Sequence, residues 1–185
     1  MDFITDLPPS QGFDAIITVV DRFTKMAHFL PCVKSINSQE TTNIIMREVF
    51  RHHGLPEDII SDRGPQFIAH FWRHLCEGLK ISCKLSSAYP PETNGQTERT
   101  NQILEQYLRC FISYQEDDWS QILHLEEFAY NNTVDSSTKV TPFYAYTSNH
   151  PRWCLLEIPV ISPNPSAALY LQWLQQIQVE LSSHL

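Results

Sequence analysis

Long hydrophobic runs are absent from this 185-residue sequence. A transmembrane helix needs roughly 20 consecutive apolar residues, whereas the longest clean apolar run, residues 15–20, has the length of a buried strand. The first residues also lack the basic stretch and apolar core of a secretory signal. We therefore expect a soluble intracellular protein, nuclear or cytoplasmic, with no membrane partner.

Paired cysteines and excess basic charge are missing as well. The five cysteines are scattered and include no C-x-x-C pair, which excludes a zinc knuckle or disulfide framework and predicts reduced, partly buried thiols. The net charge of −8 argues against a DNA-coating protein. Residues 1–110 carry 11 basic and 13 acidic side chains, whereas residues 111–185 carry 2 and 8. The first part is therefore near neutral, and nucleic acid remains a possible partner for it.

Periodicity and turn residues predict alternating strands and helices. Strands are predicted at residues 2–7, 14–20, 25–32, 58–61 and 81–86, and helices at 38–53, 67–79, 94–112, 119–130 and 166–185. Short turns join the first three strands, which predicts an antiparallel meander whose nearly apolar second strand is covered on both faces. The later strands accompany helices, so the pattern indicates an α/β sandwich with a mixed sheet. Ser38 is the predicted N-cap of the first helix, and the predicted apolar face of the second includes Phe71 and Trp72.

The chain length fits one domain with a real core. We predict a core domain at residues 1–158, a proline-rich link at 159–165 and an amphipathic helix at 166–185. Tyr170, Trp173, Leu174, Ile177 and Leu181 share one side of that last helix. This side either packs on its own domain, which we favour, or binds a partner.

Three acidic residues on separate predicted elements suggest a catalytic site. Asp62 follows an apolar strand, and Glu98 lies 36 positions later in the first turns of a strongly patterned helix. Helical spacing places Glu98 with Gln102 and Arg109 on the polar side. Asp2 lies far upstream on another apolar run. Carboxylates are the ligands that Mg²⁺ or Mn²⁺ prefers, and two such ions can hold both oxygens of an in-line displacement at phosphorus.

Other interpretations of the same residue types stay open. Most of the 21 acidic side chains simply face solvent. His70 and His74 are one helical turn apart and resemble zinc ligands, but a third ligand at motif spacing is missing. Asp21 is expected to order a turn, with Arg22 or Lys25, rather than to bind metal. Trp72 and Trp119 are expected in the core.

Several motifs carry a resemblance to a known family. They read D-F-I-T-D-L-P-P-S, V-V-D-R-F-T-K-M-A-H-F-L-P, H-G-L-P-E-D-I-I-S-D-R-G-P-Q-F, N-G-Q-T-E-R-T-N-Q-I-L-E-Q-Y-L-R, and D-W followed by E-F-A-Y-N-N. In this order and spacing, over roughly residues 2–151, they closely resemble the integrase catalytic core of Gypsy-class LTR retrotransposons. The gap between Asp62 and Glu98 also matches that family.

The resemblance implies both a fold and an activity. The fold would be RNase H-like, with a mixed five-stranded sheet, a three-strand antiparallel meander plus two parallel strands, flanked by helices. Asp2, Asp62 and Glu98 would form an acidic triad holding two Mg²⁺ (or Mn²⁺) ions with substrate bound. The protein would process DNA ends and transfer strands, as a homodimer or higher oligomer. Residues expected to contact DNA are Arg63, Lys84, Asn94, Gln96, Arg99, Gln102 and Arg109.

The sequence also departs from the family pattern. Pro90 and Glu92 replace a histidine and a glutamine, and Thr147 stands where glycine would allow a positive φ. Asp2 is so close to the start that its strand has no N-terminal half, and neither an upstream His/Cys zinc module nor a basic C-terminal extension is present. Either an excised core or an element-derived gene would look like this. A second hypothesis is therefore a domesticated, catalytically weak or silent interaction module, and a third is a nuclease or transposase of the same fold.

Overall fold

The computed structural model describes residues 1–85, 95–111, 119–152 and 164–183, and it leaves undescribed the side chains of residues 96, 106–111 and 180–183. The strands are β1 Asp2–Ile4, β2 Ala15–Val20, β3 Ala27–Cys32, β4 Asp58–Ser61 and β5 Ser82–Leu85. The helices are α1 Ser38–Ile45, α2 Arg51–His53, α3 Pro65–Ile68, α4 His70–Gly78, α5 Gly95–Phe111, α6 Trp119–Asn131, α7 Pro142–Thr147 and α8 Pro165–Ser183, with a π-helical turn, Met46–Phe50, between α1 and α2.

The first three strands form the predicted antiparallel meander, with β2 in the centre. The register pairs Asp2 with Thr18 and Ile17 with Leu30. Side chains alternate between the faces of a strand, so Ile17 enters the core beside α1, α3 and α4, whereas Ile16 enters the core beside α5 and α6. The prediction that β2 is covered on both faces is confirmed.

The last two strands form a parallel pair in which Asp58 lies opposite Ser82 and Ser61 opposite Leu85. This pair approaches the meander at Met1, whose nitrogen donates a hydrogen bond to the carbonyl oxygen of Ile60 (2.6 Å). The predicted set of three antiparallel and two parallel strands is therefore present, as two hydrogen-bonded groups that meet at the start of β1.

Two helix predictions are corrected by the structure. The N-cap of α1 is Asn37, not Ser38. The Asn37 side chain accepts hydrogen bonds from the backbone N–H groups of residues 39 and 40, and the Asn37 backbone N–H donates to the Glu40 carboxylate. The predicted helix at 67–79 is two helices, α3 and α4, separated by Ala69 in extended conformation. This break turns Phe71 outward, 43% exposed, while Trp72 and Cys76 remain buried.

The remaining helices cover the sheet and one another. Trp119 of α6 is fully buried and its Nε1 donates to the carbonyl oxygen of Pro8 (2.6 Å), so the prediction of core tryptophans is confirmed. Leu174 and Ile177 of α8 pack against α6. Thr147 is helical, and the left-handed conformation falls on Ser148 (φ 57°), so the expected strain at Thr147 is absent. None of the helices in the described ranges combines the length and apolarity that crossing a bilayer requires.

Candidate active site

Asp2 lies on β1 and is partly buried against α5. Its Oδ1 accepts a hydrogen bond from the Phe3 backbone N–H (2.9 Å). Its Oδ2 accepts one from the Asn101 side-chain amide (2.8 Å). Both carboxylate oxygens are therefore held in place, one by the strand itself and one by a helix 99 residues away.

Asp62 follows the last residue of β4. Its Oδ1 accepts a hydrogen bond from the Gly64 backbone N–H (3.1 Å), which turns the chain immediately after the strand. A Cβ added at Gly64 would lie 3.1 Å from Oδ1 and 3.4 Å from Oδ2 of Asp62. The backbone at Gly64 is not left-handed, so an effect of a larger residue here would come from this close approach, which would press the Asp62 carboxylate away by a few tenths of an ångström.

Glu98 lies in the first turn of α5 and is exposed. Thr97, Thr100, Asn101 and Leu104 of the same helix are buried. The helix therefore turns an apolar and hydroxyl-bearing side to the core and keeps Glu98 at its margin, as its periodicity predicts. Asn101 is three residues after Glu98, so the two side chains lie on adjacent positions of one face.

The charges of the three carboxylates influence one another. Desolvation raises the pKa of Asp2 above its ordinary value of 3.8, and the negative charges of Asp62 and Glu98 raise it further, whereas the Phe3 N–H opposes them. The structure thus brings Asp62 and Glu98 into the electrostatic environment of Asp2. Over residues 1–85, 95–111, 119–152 and 164–183, however, no three histidine, cysteine or acidic side chains come close enough to hold a metal ion in common.

The donor groups around Asp2 nevertheless suit a hard cation. Repulsion between neighbouring carboxylates raises their pKa, and a cation that binds between them offsets this repulsion. Thr18 lies directly opposite Asp2 in the sheet, and its hydroxyl oxygen and the Asn101 Oδ1 are buried with no hydrogen-bond partner in the described part of the chain. A hydrated Mg²⁺ would bring the waters that such oxygens lack. The oxygen groups around Asp2 therefore suit a hard cation chemically, although the described residues do not bring three ligating side chains together.

The residues predicted to contact DNA fall into three groups. Arg63, Arg99 and Gln102 are exposed, and each is close in sequence to Asp62 or Glu98. Lys84 instead donates to Asp58 (2.7 Å) at the start of β4, the end opposite Asp62, so the structure does not bring it beside the acids. The remaining predictions lie outside what the structure describes, namely residue Asn94 and the side chains of Gln96 and Arg109. The substituted positions Pro90 and Glu92 are also outside the described residues.

Asn101 is the site residue that the sequence analysis missed. It belongs to the motif quoted for the resemblance, but amides are common on helices and nothing in the sequence links it to Asp2. The signal available in the sequence was that Asn101 lies about one helical turn after Glu98, which places it on the same side of the helix. Because it holds the Asp2 Oδ2, we regard it as a positioning residue for that carboxylate.

The histidines form a cluster other than the zinc site considered from the sequence. His70 and His74 stack, with ring centroids 6.2 Å apart, and His74 pairs with Glu77. A separate cluster joins the Nε2 atoms of His28 and His53 (2.7 Å), and the His28 Nδ1 contacts Glu127 (3.0 Å). The spacing of these residues gave no hint of this contact, since β3, α2 and α6 are far apart in sequence.

The turn after β2 is ordered by Asp21, as predicted: its carbonyl oxygen accepts from the Lys25 backbone N–H (2.9 Å), whereas its carboxylate binds neither the Arg22 nor the Lys25 side chain. Its Oδ2 accepts hydrogen bonds from the Thr24 nitrogen (2.9 Å) and hydroxyl (2.5 Å), and its Oδ1 accepts a longer one from the Phe23 nitrogen. Arg22 instead lies 3.9 Å from Asp58, and Lys25 donates to the Arg22 carbonyl oxygen. The Asp21 carboxylate is therefore hydrogen-bonded within its own turn, and Asp21 is not part of the triad.

Comparison with known proteins identifies relatives for most of the chain. Residues 1–91 match the model of the integrase core domain family. The Tf2-3 transposon polyprotein of Schizosaccharomyces pombe is 40% identical over 162 residues, which cover 88% of this chain and 12% of the polyprotein. The Tf2-4 polyprotein of the same organism matches equally well. The chain therefore spans about 12% of the length of these curated relatives.

Solved structures show a likeness of fold. A chain from the simian T-cell lymphotropic virus intasome, determined in complex with the PP2A regulatory subunit B56 gamma, aligns with a TM-score of 0.66 at 22% identity and covers 88% of this chain and 58% of that one. The catalytic core domain of HTLV-2 integrase, determined with magnesium in a trimeric form, aligns with a TM-score of 0.60 at 18% identity over 78% of this chain and 93% of that domain. The RNase H-like fold expected from the sequence is thereby confirmed.

Proposed function

Because this chain belongs to the integrase core family, with relatives among LTR-retrotransposon polyproteins, we propose that it cuts DNA ends and joins them to target DNA as a metal-dependent polynucleotidyl transferase. The observation that carries this proposal is the shared electrostatic environment of three carboxylates from separate elements. Asp62, after β4, and Glu98, in α5, both raise the pKa of Asp2 on β1. A purely structural role gives no reason to place these like charges together around a partly buried group.

Asp2, Asp62 and Glu98 are the residues that would hold Mg²⁺ or Mn²⁺, two ions with substrate bound. Such ions supply Lewis-acid activation of the phosphodiester and lower the pKa of bound water. The chain's own contribution is orientation: Asn101 and the Phe3 N–H fix the Asp2 carboxylate, and the Gly64 N–H fixes that of Asp62.

DNA would reach this site along exposed basic and amide groups. Arg63 and Arg99 lie beside Asp62 and Glu98 in sequence and are exposed, so they are placed to contact phosphates. Lys84 would first have to leave Asp58. A net charge of −8 disfavours tight binding by the core alone, so we expect weak, strongly salt-dependent binding. We expect such a protein in the nucleus or the cytoplasm.

The decisive test is a disintegration or end-processing assay in Mn²⁺ that compares the parent with Asp62→Asn and Glu98→Gln. We expect either substitution to lower the rate by more than about 100-fold, the scale at which removal of one preorganised electrostatic group slows an enzyme. Glu105→Gln is the matched control, because Glu105 lies two turns further along α5. That control should retain activity.

The second candidate function is a catalytically silent interaction module. It is favoured by the finding that no three ligating side chains converge within the described parts of the chain. If the parent and Asp62→Asn proteins bind DNA equally and neither shows metal-dependent cleavage, this alternative replaces the first. Analysis of the products for joined rather than merely cut strands separates a transferase from a nuclease of the same fold.

We further propose that the protein assembles as a homodimer or higher oligomer. The support comes from homologous cores, since HTLV-2 integrase cores have been determined in trimeric and dimeric forms. Sedimentation equilibrium over a hundredfold concentration range measures the assembly directly. A mass equal to one chain at every concentration would contradict this part of the proposal.

A further inference from the structure

The turn between β2 and β3 carries the most exposed large apolar side chain that the structure describes. Phe23 is 87% exposed there, whereas the neighbouring Thr24 and Met26 are buried. A single exposed apolar residue is common on protein surfaces, so the meaning of this one depends on how it is held and on what surrounds it.

The backbone that carries Phe23 is firmly held. The Asp21 carboxylate accepts hydrogen bonds from the backbone N–H groups of Phe23 (3.4 Å) and Thr24 (2.9 Å). The Asp21 N–H donates to the Met26 carbonyl oxygen (2.8 Å), and the Lys25 N–H donates to the Asp21 carbonyl oxygen (2.9 Å). The turn is therefore ordered before any ligand arrives, which lowers the entropic cost of binding to the ring.

Basic side chains surround Phe23. Arg22 precedes it, and Lys25 follows two positions later and donates to the Arg22 carbonyl oxygen (2.8 Å). Lys84 of β5 reaches the same place, because Lys84 and Arg22 approach one oxygen, the Asp58 Oδ2, at 2.7 and 3.9 Å. We call Arg22, Phe23, Lys25 and Lys84 the turn patch.

The cations of the turn patch extend further into solvent than the acid that two of them share. The Arg22 and Lys84 side chains are 63% and 56% exposed, whereas that of Asp58 is 34% exposed. Exposed ion pairs of this kind contribute little stability, so a phosphate group can replace Asp58 as their partner at small cost. Glu57 is exposed and lines the same cavity as Arg22, so its charge opposes an anionic ligand.

An exposed aromatic ring among cations is suited to single-stranded nucleic acid. In such complexes the bases stack on aromatic side chains, while the backbone follows a positively charged surface. A base inside a duplex has both faces covered by its neighbours, so only an unpaired base offers a face to Phe23. An acidic protein segment would meet the same cations, but it brings no planar base for the ring.

We propose that the turn patch binds an unpaired stretch of a DNA strand. One base stacks on Phe23, and the adjacent phosphates contact Arg22, Lys25 and Lys84. The inference deepens the function proposed above and rests on it for the identity of the nucleic acid as DNA.

The turn patch borders the helix that carries part of the acidic site. Arg22 and Thr97, the residue before Glu98, line one cavity, so the patch lies beside the first turn of α5. A strand that occupies the patch therefore passes close to the start of that helix. This placement also gives Lys84 a phosphate contact, although the structure does not bring it beside the acids.

The test measures binding rather than catalysis. In the Asp62→Asn protein, without metal, fluorescence anisotropy compares a labelled duplex that ends in an unpaired overhang with its blunt counterpart. We expect tighter binding to the overhang, and Phe23→Ala should weaken that binding by roughly 10-fold, the scale of one base stacked on an aromatic ring. The thermal midpoint should not change, because Phe23 is exposed. Equal binding of the overhang with and without Phe23→Ala, or no measurable binding of either DNA, would overturn the proposal.

Three matched variants separate stacking from other contacts. Phe23→Tyr keeps the ring and should bind the overhang as the parent does, whereas Phe23→Leu keeps only the apolar character and should bind like Phe23→Ala. Equal binding by the tyrosine and leucine variants would indicate a general apolar contact, such as one with a protein, and would refute stacking. Tyr170→Ala removes a ring that is 57% exposed in α8, where residues 165–185 include no lysine or arginine. Binding should be unchanged in that variant, and a loss as large as that of Phe23→Ala would contradict a local site.

Charge variants test the phosphate contacts. Arg22→Gln and Lys84→Gln should each reduce the slope of log affinity against log salt concentration by about 0.7, the value per phosphate contact on a single strand. Glu57→Gln should tighten binding, because it removes a repulsive charge. Unchanged slopes in both basic variants would refute the assigned contacts.

The inference and the proposed function can fail separately. None of these measurements requires cleavage, so an inactive triad would leave the turn patch as a DNA-binding surface. Conversely, a protein that cleaves DNA but binds the overhang equally well with Phe23→Ala would refute the inference and leave the proposed function intact.

Discussion

A few neighbouring groups orient the carboxylates of Asp2 and Asp62. Asn101 holds one oxygen of Asp2, and the Gly64 N–H holds one oxygen of Asp62. Neither partner is itself a metal-binding residue type of the kind that sequence motifs highlight. At the residue scale, the geometry of the site therefore depends on an amide and a glycine whose roles become visible only when the chain is folded.

Gly64→Ala should impair the site without unfolding the protein. The new Cβ would lie 3.1 Å from the Asp62 Oδ1, so the carboxylate must shift, whereas the backbone angles at Gly64 are accessible to alanine. We expect cleavage in Mn²⁺ to fall roughly 10- to 100-fold, the range seen when partners that orient metal ligands are altered. Gly78→Ala is the control, since a Cβ there meets nothing within 4 Å. Equal activity in the two variants would contradict the proposed role of Asp62.

Glu126 is a second residue whose effect comes from its surroundings. It is 1% exposed, and both carboxylate oxygens are buried without a hydrogen-bond partner in the described part of the chain. Desolvation raises its pKa from 4.5 to about 8. The folded protein therefore keeps a proton on Glu126 that the unfolded chain releases, and stability falls as pH rises from 4.5 through about 8.

Glu126→Gln should remove this loss. We expect the variant and the parent to be similarly stable near pH 4.5 and the variant to be more stable at pH 8, by a few kcal/mol if the pKa difference is realised in full. Urea unfolding at a series of pH values measures the effect. A parallel shift at all pH values would indicate packing rather than ionisation.

At the scale of elements, α1 begins where an Asn side chain, rather than the neighbouring Ser, satisfies free backbone N–H groups. Asn37→Ala should destabilise the protein by about 1 kcal/mol, because it removes hydrogen bonds to residues 39 and 40. Ser38→Ala, within the first turn, should change stability by less than about 0.5 kcal/mol. Chemical denaturation measures the free energy of unfolding of the two variants. A larger loss of stability in Ser38→Ala would indicate that Ser38, not Asn37, is the N-cap.

Secondary structure was predicted well where apolar periodicity is strong, as in β2, α5 and α6. The break at Ala69 was not predicted, because alanine favours helix and the apolar residues on either side continue the pattern. In the fold, Phe67 and Trp72 both enter the same core, with ring centroids 5.8 Å apart. The extended residue between them places both aromatic rings inward, at the expense of exposing Phe71.

At the scale of the whole molecule, a histidine cluster joins elements that are distant in sequence. His53 of α2 contacts His28 of β3, and its ring lies 4.9 Å from that of Tyr146 in α7. Burial, with the nearby His28 and His52, lowers the pKa of His53 below 6.5, while Asp21 and Glu127 partly oppose this. The unfolded chain thus binds a proton more readily than the folded one, so stability should fall as pH drops below about 6.5.

His53→Gln should flatten this acid dependence. The variant loses the titrating group, so its thermal midpoint should change less between pH 7 and pH 5.5 than that of the parent. His124→Gln, at an exposed position of α6, serves as the control and should follow the parent. If all three proteins lose the same stability over this range, the loss of stability at acid pH comes from protonation of other groups, such as carboxylates.

The sequence alone determined the antiparallel meander, the buried second strand, the helical display of Glu98 and the relation to integrase cores. These features follow from local periodicity and from motifs, both of which can be identified from residues close together in the sequence. The tertiary structure decided that Asn101 holds Asp2, that His28 contacts His53, and that Lys84 pairs with Asp58 away from the triad. Such contacts join residues tens of positions apart, and only the packing of whole elements sets the distances between them.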